Sequence, residues 1–296
     1  MIISERPKTE RGTPSAGPAL VPDAAKLRAW VEALSRPRHA LAERADNERT
    51  RDALCEALEE RGYAIEVQGP YRNVLALPRD RERRAVTLVA AHYDTVPRSP
   101  GADDNGSGLA VLLECARLLS AHASDAPVGF LCFNNEEDGL LGSRDFVANK
   151  LPVMDRRVRA VHVLEMVGYR RGSSKQQRAP LPWLPRSLRT PDFIALLGRG
   201  SSNKLVDELR ASAVSQDTRV ITAQTLGPMD KLLPDLRRSD HFPFWCEGTP
   251  AVLWTDTGDF RNPHYHQRTD TPETLDYAFM QGVGELLATT LARRSR

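Results

Sequence analysis

Apolar positions along this chain repeat with two periods, and the alternation between them sets the expected architecture. Ala85 to Ala91 (AVTLVAA) is apolar throughout and flanked by charge, which predicts a buried strand. Leu109, Leu112, Leu113, Ala116 and Leu119 then return at helical spacing, predicting a helix to about Ala121. The same reading gives strands at Ala64 to Val67, Asn73 to Leu77, Val128 to Phe133 and Val158 to Leu164, the last ending at Glu165. It gives further strands at Phe193 to Leu197, Arg219 to Ala223 and Pro250 to Trp254. Helices are expected from Asp23, where Leu27, Trp30, Val31 and Leu34 share a face, and from about Arg38 to Arg61, stopped by Gly62. Others are expected near Leu141 to Asn149, at Asn203 to Ala213, and from a start between Thr271 and Asp276 onward. Strands alternating with helices predict an α/β fold with a mixed, largely parallel central sheet covered by helices on both faces.

Punctuation refines this picture. Residues 1–22 carry Pro7, Pro14 and Pro18 among charges and read as a disordered tail, leaving 23–296 as a single domain. The charged run Arg79 to Arg84 between two predicted strands suggests a hairpin with a solvated tip. Gly168 to Pro191 is long, basic and proline-rich, and such a loop is either functional or disordered. Hydrophobic residues at 41% and a net charge of +2 describe an ordinary globular chain and give no reason to expect nucleic acid or a membrane surface as partner. No transmembrane run and no apolar secretory segment is found in the sequence. Cys55, Cys115, Cys132 and Cys246 stand singly among apolar residues, so buried free thiols and a reducing, cytoplasmic setting are expected.

Chemistry gathers at the strand ends. His92 leaves one strand, and the turn Gly101-Ala102-Asp103-Asp104-Asn105-Gly106-Ser107-Gly108 opens the next helix. Glu136-Glu137 and Glu165 each follow a buried strand, and Ser239-Asp240-His241 and His264-Tyr265-His266 lie further on. Amphipathicity does not require acids and imidazoles at so many strand ends. The carboxyl edge of an α/β sheet is where ligands bind, and imidazole with several carboxylates suits a divalent metal, with zinc the expected ion. Asp103 reads as a turn residue, and His39, His122 and His162 lack ligand spacing. Phe242 and Trp245 are more often core than pocket wall.

The segments AHYDT, PGADDNGSG, NNEEDGLLGS, SDHFPFW and NPHYHQRTDTPETLD, in that order from His92 to Asp276, resemble the M28 family of zinc peptidases, which includes aminopeptidases. The resemblance implies a zinc aminopeptidase/phosphorylase-like fold and two zinc ions per chain. It puts His92 and Glu165 on one metal, Glu137 and His266 on the other, and Asp104, twelve residues after His92, between them. His264 competes with His266, but its spacing from Tyr265 and Asp270 favours His266 as the ligand. Asp94 would hold the tautomer of His92, Glu136 would be the general base, and Tyr265 would donate to the oxyanion. Asp240 and His241 would support the site. The position of Glu165 is often aspartate in such aminopeptidases, which leaves open whether cleavage is strictly N-terminal. The expected activity is removal of N-terminal residues from peptide or amide substrates, with a preference for hydrophobic side chains suggested by the aromatic run. The alternatives are a carboxypeptidase or amidohydrolase, a glutaminyl-cyclase-like transferase, and a non-catalytic binding protein.

Overall fold

A computed structural model describes residues 1–5, 19–79, 84–172, 176–179, 185–212, 218–225 and 232–293. Nine strands form one sheet in the order β1-β8-β7-β9-β6-β4-β5-β3-β2. They are β1 (Ile2–Glu5), β2 (Tyr63–Gln68), β3 (Asn73–Pro78), β4 (Val86–His92), β5 (Val128–Phe133), β6 (Val158–Glu165), β7 (Phe193–Arg199), β8 (Arg219–Thr225) and β9 (Ala251–Thr255). At the centre β5, β4, β6 and β9 run parallel. On one flank β3 is antiparallel to β5; on the other β7 is antiparallel to β9, followed by β8 parallel to β7. The mixed, largely parallel sheet expected from the alternation is therefore present.

One face of the sheet packs against α1 (Ala24–Leu34), α2 (Arg44–Glu59), α3 (Gly108–His122), α5 (Asn203–Ser212) and α7 (Tyr277–Arg293). Over the parallel block, the opposite face is covered by α4 (Leu141–Asp145), the turn that continues it to Lys150, and α6 (His241–Cys246). Strand β4 is buried at all seven positions, as a strand covered on both faces must be. Strand periodicity assigns the faces: Ile194, Leu196, Val252 and Trp254 join the first core, while Phe193, Ala195, Leu197 and Leu253 point the other way. Among the described residues no α-helix covers that second face of β7, β8 and β1, though Leu188 of the 3₁₀ turn Arg186–Arg189 packs against it.

Four expectations need correction. The hairpin is β2–β3, closed by a turn with Gly69 and Arg72 at positive φ; β3 pairs with β5, not with β4. A strand as apolar as β4 belongs at the sheet centre, where parallel neighbours flank it. The second helix starts at Arg44, because residues 38–43 turn to bury the Arg38 side chain. Part of the expected tail is ordered: Ile2–Glu5 pair antiparallel with β8, and Leu20 is buried. Of the cysteines, Cys115 and Cys132 are buried, Cys55 is half-buried and Cys246 is exposed. Residues 6–18 of that tail, the tip at 80–83, parts of the basic loop (173–175 and 180–184) and the expected helix end at Ala213 lie outside the described residues.

Candidate functional site

The parallel block brings the carboxyl ends of four strands to one edge, and the candidate residues sit there. His92 is the last residue of β4, Glu136 and Glu137 follow β5, and Glu165 ends β6. Asp104 comes from the turn before α3, and His266 from the loop before α7. The two carboxylate oxygens of Asp104 face different imidazoles, Oδ1 lying 3.2 Å from His92 Nε2 and Oδ2 3.2 Å from His266 Nε2. Glu165 Oε1 completes the first group at 3.5 Å from His92 Nε2. Glu137 Oε2 completes the second at 3.1 Å from His266 Nε2. Each group brings three potential ligand atoms close enough for one metal ion, and Asp104 belongs to both.

Local structure fixes these side chains. Asp94 accepts the backbone N–H groups of Glu136 (3.1 Å) and Glu137 (3.2 Å) and lies 3.5 Å from His92 Nδ1. It thus ties the end of β4 to the turn after β5 as well as facing the histidine. Asp270 accepts the N–H groups of Asp103 (2.9 Å) and Asp104 (3.1 Å), aiming the bridging carboxylate. Gly101 starts that turn at φ +60°, where a Cβ would collide with the Asp104 carbonyl and Thr95. Ser239 Oγ donates to Glu165 Oε2 at 2.8 Å, leaving Oε1 for the cluster. Asn135, Met166 and His266 all take positive φ, so left-handed backbone concentrates beside the candidate ligands.

The electrostatics describe acids in excess of cations. Asp94, Asp104, Glu136, Glu137, Glu165 and Asp240 gather around the two imidazoles of His92 and His266. Burial pushes Glu136 well above the ordinary carboxylate range and raises Glu137 and Asp240 each to about 7. Burial opposes charge on His266, yet Asp104 and Glu137 raise it to about 10. His92 likewise rises well above its usual value against burial, driven by Glu165, Glu136, Asp104 and Asp94. Although carboxylates lie within ion-pair distance, the buried Nε2 atoms of both histidines and Oε1 of Glu137 make no hydrogen bond. Buried ligand atoms without hydrogen bonds, in a surplus of negative charge, fit a divalent cation better than a set of ion pairs.

Around the cluster some residues differ from their sequence reading, while His264 and the aromatic run match theirs. Asp103 is no mere turn residue: it is fully buried and accepts from Gly168 N–H (3.0 Å) and Asn262 Nδ2 (2.6 Å). Burial and the neighbouring Asp256 raise its carboxyl well above the usual range. His264 is outside both donor groups and sets its edge against the Tyr169 ring. His241 is a core histidine bonded to the Leu236 carbonyl, pulled down to about 4 by burial. Phe244 and Trp245 pack in the core under α6, so the aromatic run is not a pocket wall. Arg38 carried no sequence signal. Fully buried, it donates to the carbonyls of Leu34, Tyr93, Pro100 and Gly101, joining α1, the end of β4 and the glycine turn.

A cavity of about 560 Å³ opens from the cluster past the end of β9 and across the second face of β7, β8 and β1. Asp104, Glu136, Glu137, Glu165, Tyr265 and His266 line one end, and Phe193, Leu197, Ile221, Leu253, Phe260 and Ile3 the apolar remainder.

The description Peptidase family M28 matches residues 73–291. The chain belongs to peptidase family M28. It is a hydrolase of the zinc metallopeptidase type. Among relatives, it is 32% identical to the Escherichia coli "Uncharacterized protein YfbL" over 304 residues, spanning 88% of this chain and 91% of that one. It is 30% identical to the Bacillus subtilis "Aminopeptidase YwaD" over 73% of this chain but 43% of that one, so it spans less than half of that relative. Among solved structures, LapA of Legionella pneumophila matches 93% of this M28 chain and 74% of its own, with a TM-score of 0.73 and 19% identity. A Porphyromonas gingivalis glutaminyl cyclase matches 93% of this chain and 99% of its own, with a TM-score of 0.68 and 21% identity. At these identities both structures speak for the fold alone. No helix among the described residues is long and apolar enough to cross a membrane.

Proposed function

We propose that this chain is a two-zinc aminopeptidase that hydrolyses the peptide bond after an N-terminal residue. The observation that carries the reading is Asp104, with one carboxylate oxygen directed to each of two histidine-carboxylate groups. His92 and Glu165 would hold one zinc, His266 and Glu137 the other, and Asp104 both. Zinc held there would polarise the scissile carbonyl and acidify the attacking water. Glu136 is left out of both donor groups yet lines the same cavity. It is the carboxylate available to take the proton from water and pass it to the leaving amine. The Tyr265 hydroxyl, also at the cavity, would donate to the oxygen that gains charge in the tetrahedral stage. Glu165, which accepts from Ser239 at the cavity wall, would also meet the substrate's free amine. The apolar remainder of the cavity favours substrates with large hydrophobic groups.

A glutaminyl-cyclase-like transferase is the second reading, favoured by the near-complete span of that fold. The second donor group, Glu137 with His266, supports hydrolysis over a single-metal cyclase. A binding protein without catalysis fits less well, since Glu136 accompanies a full set of ligand atoms. Mass spectrometry of a mixed peptide pool incubated with zinc-loaded protein, beside Glu136→Gln, tests the choice. Loss of N-terminal residues with the wild type alone is expected. Loss of ammonia from N-terminal glutamine without hydrolysis would establish the cyclase, and trimming from the other end a carboxypeptidase.

A further inference from the structure

Arg238 is the residue before Ser239 and lines the cavity on the side of Tyr265. Its Nη2 donates to the Tyr265 hydroxyl at 3.2 Å. Its Nη1 is anchored on Asp259 Oδ1 at 2.9 Å and lies 3.4 Å from Asp235. Asp259 is itself braced by Arg178 through its other oxygen at 3.0 Å. The Tyr265 ring stacks flat on the His266 imidazole, with centroids 3.7 Å apart and planes 21° from parallel. The stack sets the plane of the phenol but leaves the direction of its O–H free to rotate.

A guanidinium has donors only, whereas a phenol has one donor and lone pairs. The hydroxyl oxygen therefore accepts from Arg238, and its own proton must point elsewhere. Among the described residues that proton goes to no acceptor, while the cavity with Glu136, Glu165 and His266 lies beside it. We propose that Arg238 is a positioning residue: by occupying the acceptor side of the Tyr265 hydroxyl, it keeps the phenolic proton aimed into the cavity as a ready donor to the oxyanion. The inference rests on the proposed role of Tyr265. A charged donor on the phenol oxygen also polarises the O–H bond, strengthening what it donates. The bracing by Asp259 and Arg178 keeps the guanidinium in place while substrate enters and leaves.

The experiment is a double-mutant cycle on the zinc-loaded full chain with Arg238→Met, Tyr265→Phe and the pair, plus Arg238→Lys. Two readouts are taken: kcat and KM on a leucine peptide amide, and calorimetric affinity for a phosphinic peptide mimic of the tetrahedral stage. Zinc content and melting temperature check that each variant is intact. Arg238→Met is expected to lower kcat about tenfold or more with KM within about twofold, since the donor acts where charge develops. In the Tyr265→Phe background the same change should cost less than about twofold, because the two residues act as a unit. Affinity for the mimic should fall in the same non-additive way, and Arg238→Lys should recover most of both. Equal losses from Arg238→Met in both backgrounds would overturn the inference, as would no loss at all. A wild type that hydrolyses no peptide amide sinks the proposed function, and the calorimetry still judges Arg238. A wild type that fails to bind the mimic overturns both.

Discussion

The parallel block and the flank of β7, β8 and β1 belong to one sheet but present opposite surfaces. Over the block both faces are covered, β4 is buried along its whole length, and the candidate ligands project from the edge. On the flank one face packs against α5 and α7, while the other forms the apolar wall of the cavity. The site edge is held by side chains bonded to backbone: Asp94 to the Glu136-Glu137 turn, Asp270 to the Asp103-Asp104 turn, and Arg38 to five carbonyls. On the flank the polar contacts sit at the margin, where Arg219 pairs with Glu5 and Asp192 beside the Phe193 ring. Coverage on both faces fixes atoms for chemistry, and an open apolar face leaves room for a substrate to be chosen. Variants on the block should therefore change metal content and turnover, and variants on the flank should change substrate choice.

The most severe test of this division is Asp104→Asn, which removes the charge shared by both donor groups. Zinc measured by emission spectrometry should fall below one equivalent, with hydrolysis at background. Two retained zinc ions would refute the bridging role. Next is Glu136→Gln, which touches neither donor group. It should keep its zinc and lose two or more orders of magnitude in kcat, the usual range for a general base. Near-normal turnover would remove Glu136 from the mechanism.

Arg38→Met tests the frame behind the site and not the chemistry itself. It removes the donor to the Tyr93 and Pro100 carbonyls, while those of Leu34 and Gly101 keep the N–H groups of Arg36 and Gly106, so stability should fall by about 3 kcal/mol, with a melting temperature lower by several degrees. Zinc content should decline in step as the glycine turn loosens. Unchanged melting would show that the turn is held by Asp270 and Gly101 without it.

Arg38 also shows what the sequence could not reveal. Its contacts are carbonyls, which any residue type supplies, so nothing in the pattern distinguishes it from a solvated arginine. Asp103 and Asp256 escape for the same reason: their partners are backbone N–H groups and an asparagine brought together only by the fold. Glu165 stood out because it ends an apolar strand, where a carboxylate must find a cation or hydrogen bonds, whereas an adjacent pair such as Glu136-Glu137 is usually a solvated turn and drew its expected roles from the family resemblance. Elements β4 to β6 with α3 were legible because period and burial agree there. The β3–β4 hairpin failed because a charged turn marks only where a strand stops, while strand pairing is decided by how many faces are buried. The aromatic run fills the core, the reading its residue types favour, so the preference for hydrophobic side chains it suggested must rest instead on the pocket wall formed by alternate positions of β7, β8 and β9.

That wall supplies the gentlest test. Ile221 faces the cavity from β8, remote from both donor groups. Ile221→Trp places a larger side chain in the space proposed for the substrate's apolar group. KM for a substrate with a large hydrophobic N-terminal residue should rise about tenfold, comparable to the loss of a few methylenes' worth of pocket. KM for a matched substrate with N-terminal alanine should stay within about twofold, and so should kcat for both. The metal content should not move. A matched rise for both substrates would mean that the cavity admits solvent or another group and that selection happens elsewhere. A drop in kcat with unchanged KM would mean that the flank reaches the chemistry after all, and the division between block and flank would fail at β8.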